Sequence, residues 1–259
     1  MTMLQQMYQP LEHELELEKF FGPLDQDVEK FVYPQLLTIM VFTNRSGSSL
    51  IGEYLRASGV FSGFGEPLNY PLVIERAQKF GISSLVGYMK WLMEYLGDSK
   101  KAVGVKLSLD QLVMCFRAGI IPSVFPNTRW LYVYREDLLS QAISFSIAEQ
   151  TGSWNSVDAD VKGEPAFDAE DIHAKLLAVS ERKQLTELFF ATNGIEPLRI
   201  SYENFLKDAD ATIKQIGDWC GVAVEGVDKN ALQLRKQGGA NNRAYRDAFI
   251  EQYQFQADR

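Results

Sequence analysis

Seven consecutive residues, Thr43-Asn44-Arg45-Ser46-Gly47-Ser48-Ser49, gather a permanent cation, hydroxyl donors and a glycine directly after an apolar run. The chemistry that this combination suits is oxyanion binding. If the segment opens a helix, the free N–H groups of the first turn and the helix dipole both favour an anion. Gly47 lets the backbone approach a phosphate with no Cβ in the way. Ser46, Ser48 and Ser49 add donors, and Arg45 adds charge-assisted bonds. Each such bond is worth roughly 1.5–3 kcal/mol. The same residues also suit a plain serine-capped helix with Arg45 on the surface. A second group lies further along. Arg135 closes the run RWLYVYR, and Ser140, Gln141 and Ser144 follow, with Ser140 and Ser144 four apart on one helix face. Arg135 either serves a second phosphate there or pairs with Glu136 or Asp137. Together the two segments match the two ends of a bisphosphorylated nucleotide.

Other chemistries lack their residues. An ATPase loop needs GxxxxGK[ST], but Phe42 stands at the first glycine position and Ser48 at the lysine. Transfer of an anion without magnesium fits better. The two histidines, His13 and His173, have no metal-ligand neighbour at a suitable spacing, so no metal is expected. Both read as surface residues.

The elements that must position these groups follow from the hydrophobic pattern. LLTIMVF (36–42) is a continuous apolar run, as expected of a strand covered on both faces of a parallel sheet. An amphipathic helix follows TNRSGSS and stops near Gly59. Further strands are predicted at 101–107, 129–135 and 197–202, with a sheet-like VFSGF before Gly65. Helices are predicted at 71–80, 83–97, 109–119, 138–150, 168–193 and 208–220. This alternation indicates a three-layer α/β fold with a mainly parallel central sheet and extra helices at both ends. Residues 1–35 read as a helical extension packed outside a single domain of 36–259; the polar segment 150–167 reads as a mobile loop near the site. In such sheets ligands lie beyond the carboxyl ends of the strands, which is where both anion segments fall.

The bulk composition sets outer limits. With 46% hydrophobic residues the chain can bury a large core. A net charge of −8 argues against nucleic acid or an anionic membrane as main partner. Cys115 and Cys220 sit in apolar stretches, as reduced buried thiols do. No signal peptide or spanning segment is evident, and a cytoplasmic location is expected.

Taken together, TNRSGSS and Arg135-Glu136-Asp137-Leu138-Leu139-Ser140-Gln141-Ala142-Ile143-Ser144 resemble two motifs of the PAPS-dependent sulfotransferases, in the bacterial Stf0-type branch. The continuation to EQTGSW, with Trp154, is similar to that branch too. The resemblance implies a P-loop-like fold with a five-stranded parallel core sheet. It also implies transfer of a sulfuryl group from 3′-phosphoadenosine-5′-phosphosulfate (PAPS) to an acceptor hydroxyl, leaving 3′,5′-adenosine bisphosphate (PAP). By the same resemblance Arg45, Ser46, Gly47, Ser48 and Ser49 contact the 5′ end of the donor, and Arg135 and Ser144 hold its 3′-phosphate. LRKQGGANN resembles the segment that closes over the nucleotide, which suggests Arg235 and Gln237. The usual spacing and downstream Trp are absent there; a basic surface loop is the alternative. The branch places a glutamate in a turn after the second short strand, and here Glu66 stands between Gly65 and Pro67. Glu66 is thus the expected general base. Lys106, at a strand end, either neutralises the transferring group or snorkels to solvent. The acceptor is expected to be a small molecule or glycan, and a homodimer is possible within the branch. Two rival readings stand beside this one. A kinase or NTPase would need a Walker lysine and a strand-end Asp. A non-catalytic carbohydrate-binding module would use Phe61, Phe64, Tyr70 and Trp154 for sugar stacking.

Overall fold

The computed structural model describes residues 9–97, 101–154, 163–234 and 239–254. After helix α1 (Glu12–Phe21), the apolar run forms β1 (Leu37–Phe42), and all six of its residues are buried. Their alternation divides the core. Leu37, Ile39 and Val41 belong to the cluster on one face of the sheet, and Met40 belongs to the cluster on the other. A strand buried on both faces is apolar throughout, which is why the pattern reads as continuous.

The chain continues through α2 (Ser48–Ala57), β2 (Phe61–Gly63), α3 (Tyr70–Phe80), α4 (Leu85–Leu96) and β3 (Ala102–Leu107). Next come α5 (Leu109–Arg117), the short α6 (Ile120–Ser123), β4 (Thr128–Tyr134), α7 (Leu138–Thr151) and α8 (Ala169–Thr192). The chain then adds β5 (Leu198–Ser201), α9 (Tyr202–Lys207), α10 (Ala209–Cys220) and α11 (Ala240–Tyr253). The five strands run in the order β2-β3-β1-β4-β5. Every pairing is parallel, so the sheet expected to be mainly parallel is wholly so.

From β1 the chain runs to β2 at one edge, whereas from β4 it runs to β5 at the other. Strands β1 and β4 are neighbours, so their carboxyl ends flank the topological switch point. The two anion segments follow those two strands. The predicted strand 129–135 ends one residue earlier, at Tyr134, which leaves Arg135 beyond the sheet. The predicted strand at 197–202 likewise stops at Ser201, because Ser201 caps α9 by accepting the Asn204 N–H at 3.2 Å.

One expectation about side chains needs correction. Phe61 and Phe64 are each 1% exposed and belong to the core, so neither presents a ring to a sugar. Phe64 adopts φ of +56°, and its ring lies against Gly104, where an added Cβ would fall 2.2 Å away. Cys115 and Cys220 are buried and free. Among the described residues no helix is long and apolar enough to cross a membrane.

Candidate active site

The loop between β1 and α2 bends through two left-handed residues, Arg45 at φ +62° and Gly47 at φ +89°. Among the described residues no side chain caps the N-terminus of α2. Gly47, Ser48 and Ser49 instead line a cavity of about 640 Å³. A Cβ on Gly47 would fall 2.2 Å from the ring of Tyr202, so the loop can lie on that ring only as glycine. Non-glycine residues in this conformation cost of order 1–3 kcal/mol, and such strain gathers at functional sites. Ser46 is fully buried, and its hydroxyl has no hydrogen-bond partner among the described residues.

The second corner, between β4 and α7, is joined to the first. Gln141, on α7 and buried, donates from Nε2 to Thr43 Oγ1 at 2.9 Å and to the Asn44 carbonyl at 2.7 Å. Arg45 Nε donates to Ser144 Oγ at 3.0 Å, and its guanidinium also donates to the Trp154 carbonyl. The residues expected at opposite ends of a nucleotide therefore meet across one crevice. Arg135 lies with its guanidinium 5.0 Å from the centre of the Tyr202 ring. Its ionic partner is Glu203 at 3.8 Å rather than Glu136 or Asp137. Arg135 Nε is buried and makes no hydrogen bond among the described residues. A buried donor left unmade costs roughly 1–3 kcal/mol. Ser46 at one corner and Arg135 at the other thus both carry unmet hydrogen-bonding capacity, as a site built for a polyanion would.

A third group of residues lies between β2 and β3. Phe64 N–H donates to the Gly104 carbonyl at 2.7 Å, and Lys106 N–H to the Gly65 carbonyl at 2.8 Å. This carries the parallel ladder up to Gly65 and sets Glu66 beside Lys106. Glu66 Oε1 lies 2.9 Å from Lys106 Nζ, with the Glu66 side chain 38% exposed and that of Lys106 4%. Lys106 Nζ also donates to Ser49 Oγ at 2.9 Å and to Ser48 Oγ at 3.4 Å, and it lies over the Phe42 ring. It does not snorkel; it joins the carboxylate to the anion loop. Burial pushes the Lys106 amine down from its ordinary value, and the charge of Glu66 opposes that shift.

Arg45, Gly47, Ser48, Ser49, Glu66, Arg135 and Ser144 all line the one cavity. Arg235 and Gln237 lie outside the described residues. Leu234, just before them, does line the cavity. The backbone amides of Gln233 and Leu234 donate to the buried carboxylate of Glu53 on α2, at 2.7 and 2.9 Å.

Tyr202 and His13 line the cavity and lie outside the motifs. Tyr202 carries the floor of both corners, and its position just after β5 was a signal for it. His13, expected at the surface, is half-buried and lines the cavity. Nothing in its sequence neighbourhood marks it, since α1 reaches the site only through tertiary packing. His173 is exposed, as expected, and stacks on Tyr253.

The model of the Stf0 sulphotransferase family matches residues 106–254. No curated protein matches the chain. Among solved structures, mouse sulfotransferase SULT7A1 complexed with PAP is similar at 11% identity and a TM-score of 0.45, over 93% of this chain and 75% of that one. A sulfotransferase from Alicyclobacillus acidocaldarius is similar at 12% identity and a TM-score of 0.47, over 85% of this chain and 92% of that one. Retinol dehydratase in complex with androsterone and inactive cofactor PAP is similar at 14% identity and a TM-score of 0.47, over 90% of this chain and 82% of that one. With more than half of its length matched by the family model, the chain belongs to the Stf0 sulfotransferase family and is a PAPS-dependent sulfotransferase.

Proposed function

We propose that the cavity holds PAPS with its 5′-phosphosulfate at the start of α2 and its 3′-phosphate beside Arg135 and Ser144, and that Glu66 is the general base. The observation that carries this reading is the direct joining of the two anion corners, by Gln141 to Thr43 and Asn44 and by Arg45 to Ser144, over a cavity that Glu66 also lines. The residues present suit a doubly phosphorylated nucleotide. The uncapped first turn of α2 offers amides, Ser46 and Arg135 offer unused donors, and Gly47 lacks the Cβ that would collide with Tyr202 beneath the loop. Arg235 and Gln237, which follow the anchored Leu234 in sequence, complete the proposed nucleotide contacts.

When bound, PAPS supplies a sulfuryl group whose S–O bond to the 5′-phosphate breaks as the acceptor oxygen bonds to sulfur, leaving PAP. The chain's own part is orientation, proton removal and charge stabilisation. Glu66 takes the hydroxyl proton of the acceptor. Neutralising Glu66 removes the partner of the Lys106 ammonium 2.9 Å away. The freed positive charge then stands next to Ser48 and Ser49, where the departing phosphate gains negative charge. Arg45 acts with Lys106 in that stabilisation.

The acceptor is proposed to be a hydroxyl of a carbohydrate or glycolipid. The polar wall of Glu66, Asn69 and Asp110, with the half-exposed ring of Trp154 at the cavity, supports that class. Measuring PAP release and PAP affinity together tests the base. Glu66→Gln is expected to lose turnover by a factor of about 10²–10⁴, with PAP binding nearly unchanged; full turnover in this variant removes Glu66 from the mechanism.

A further inference from the structure

One wall of the cavity is supplied by α1, well away in sequence from every motif of the site. His13 stands in the first turn of this helix. Its Nδ1 accepts the backbone N–H of Tyr70 at 3.3 Å, and its ring meets that of Tyr70 edge-on with centroids 5.6 Å apart. The Tyr70 hydroxyl donates to Glu12 at 3.0 Å, a second tie between the same two elements. Tyr70 opens α3 directly after the turn that carries Glu66, where Asn69 N–H donates to the Glu66 carbonyl at 3.4 Å. The histidine and the carboxylate are thus fixed to one short stretch of chain.

This attachment decides the tautomer. A neutral imidazole whose Nδ1 accepts a hydrogen bond carries its proton on Nε2. Nε2–H has no partner among the described residues, and the ring lines the same cavity as Glu66 and Asn69. Burial favours the neutral ring, against the pull of Asp110, Glu12 and Glu66. Protonation would also sacrifice the Tyr70 contact. The helix behind His13 is firmly seated: Leu17 is fully buried, and the buried Glu14 pairs with Arg117 of α5 at 3.0 Å. The cavity therefore contains a neutral, rigidly held hydrogen-bond donor that the nucleotide corners do not use.

We infer that His13 is an acceptor-binding residue. Its Nε2–H donates to a second oxygen of the acceptor, near the hydroxyl that Glu66 deprotonates, so α1 selects which hydroxyl is presented for transfer. The inference rests on the transfer reading of the cavity. It calls for an acceptor with two oxygens close together. That acceptor is not an anion, since Glu66 and Asp110 share this part of the wall and would repel one. A site built to bond such an oxygen discriminates strongly against acceptors that lack it.

The test uses the full chain, radiolabelled PAPS and a small-molecule cell extract as the acceptor pool, with PAP calorimetry in parallel. His13→Ala is expected to bind PAP within about twofold of the unmodified chain, yet to need about tenfold more extract for half-maximal labelling. His13→Gln keeps one donor and one acceptor, and it should recover most of that loss. Unchanged half-saturation in His13→Ala overturns the inference. So does a joint loss of PAP affinity and melting temperature that His13→Gln fails to restore, because that is the mark of a merely structural role. If the unmodified chain binds PAP but labels no product, the transfer reading itself falls, and this inference with it.

Discussion

Gly47 holds a φ of +89° against the face of Tyr202, and the same ring lies 5.0 Å from the Arg135 guanidinium. One aromatic side chain thus sets the height of both anion corners, and the absence of a Cβ at one position makes room for it. Gly47→Ala meets two penalties, the left-handed backbone and a carbon 2.2 Å from Tyr202 Cδ2. The ring is part of the floor and cannot swing away without disturbing Arg135. Together these are expected to cost about 1–3 kcal/mol. Thermal melting with and without PAP checks this: the variant should melt lower and gain much less from PAP than the unmodified chain does. An unchanged response to PAP would mean that the loop does not need its close approach to Tyr202. Lys106 shows a different residue-scale point. A lysine in an apolar strand reads equally as an edge residue or a buried cation, and only its contacts with Glu66, Ser48 and Ser49 decide between them.

The elements differ in how openly the sequence displays them. β1 and β4 are apolar runs followed by turn residues, so both corners stand out at once. The pairing of these strands is not visible in either segment; it follows from the order of the sheet, where β1 lies between β3 and β4. Gln141 expresses that neighbourhood at close range. It belongs to the second motif by sequence, but only the structure shows that it is 1% exposed and bonds the loop after β1. Replacing it by leucine keeps the burial and removes both hydrogen bonds. Gln141→Leu should therefore weaken PAP binding by about 1–3 kcal/mol, while the far-ultraviolet circular dichroism stays that of the folded chain. PAP affinity equal to that of the unmodified chain would show that the corners are held in place independently of each other. The contribution of α1 was hidden for the same reason as the pairing. His13 has no motif, and its place beside Glu66 depends on how α1 packs against α3 and α5. Phe61 and Phe64 misled in the opposite sense: aromatics near a turn suggest a binding surface, but Gly104 admits the Phe64 ring into the core.

At the scale of the molecule, a chain of net charge −8 binds a polyanion by local arrangement rather than by overall field. Arg45, Arg135 and the uncapped start of α2 all face one cavity. Such an arrangement works only if both ends of the nucleotide are gripped at once. Calorimetric titration with PAP and with adenosine 5′-monophosphate, which lacks only the 3′-phosphate, tests that requirement most directly. PAP should bind one to one and about 30-fold more tightly than the monophosphate, the equivalent of about 2 kcal/mol for a lost charged contact; Arg135→Ala should erase most of that difference. Equal affinities for the two nucleotides, or no binding of PAP at all, would contradict the two-corner site.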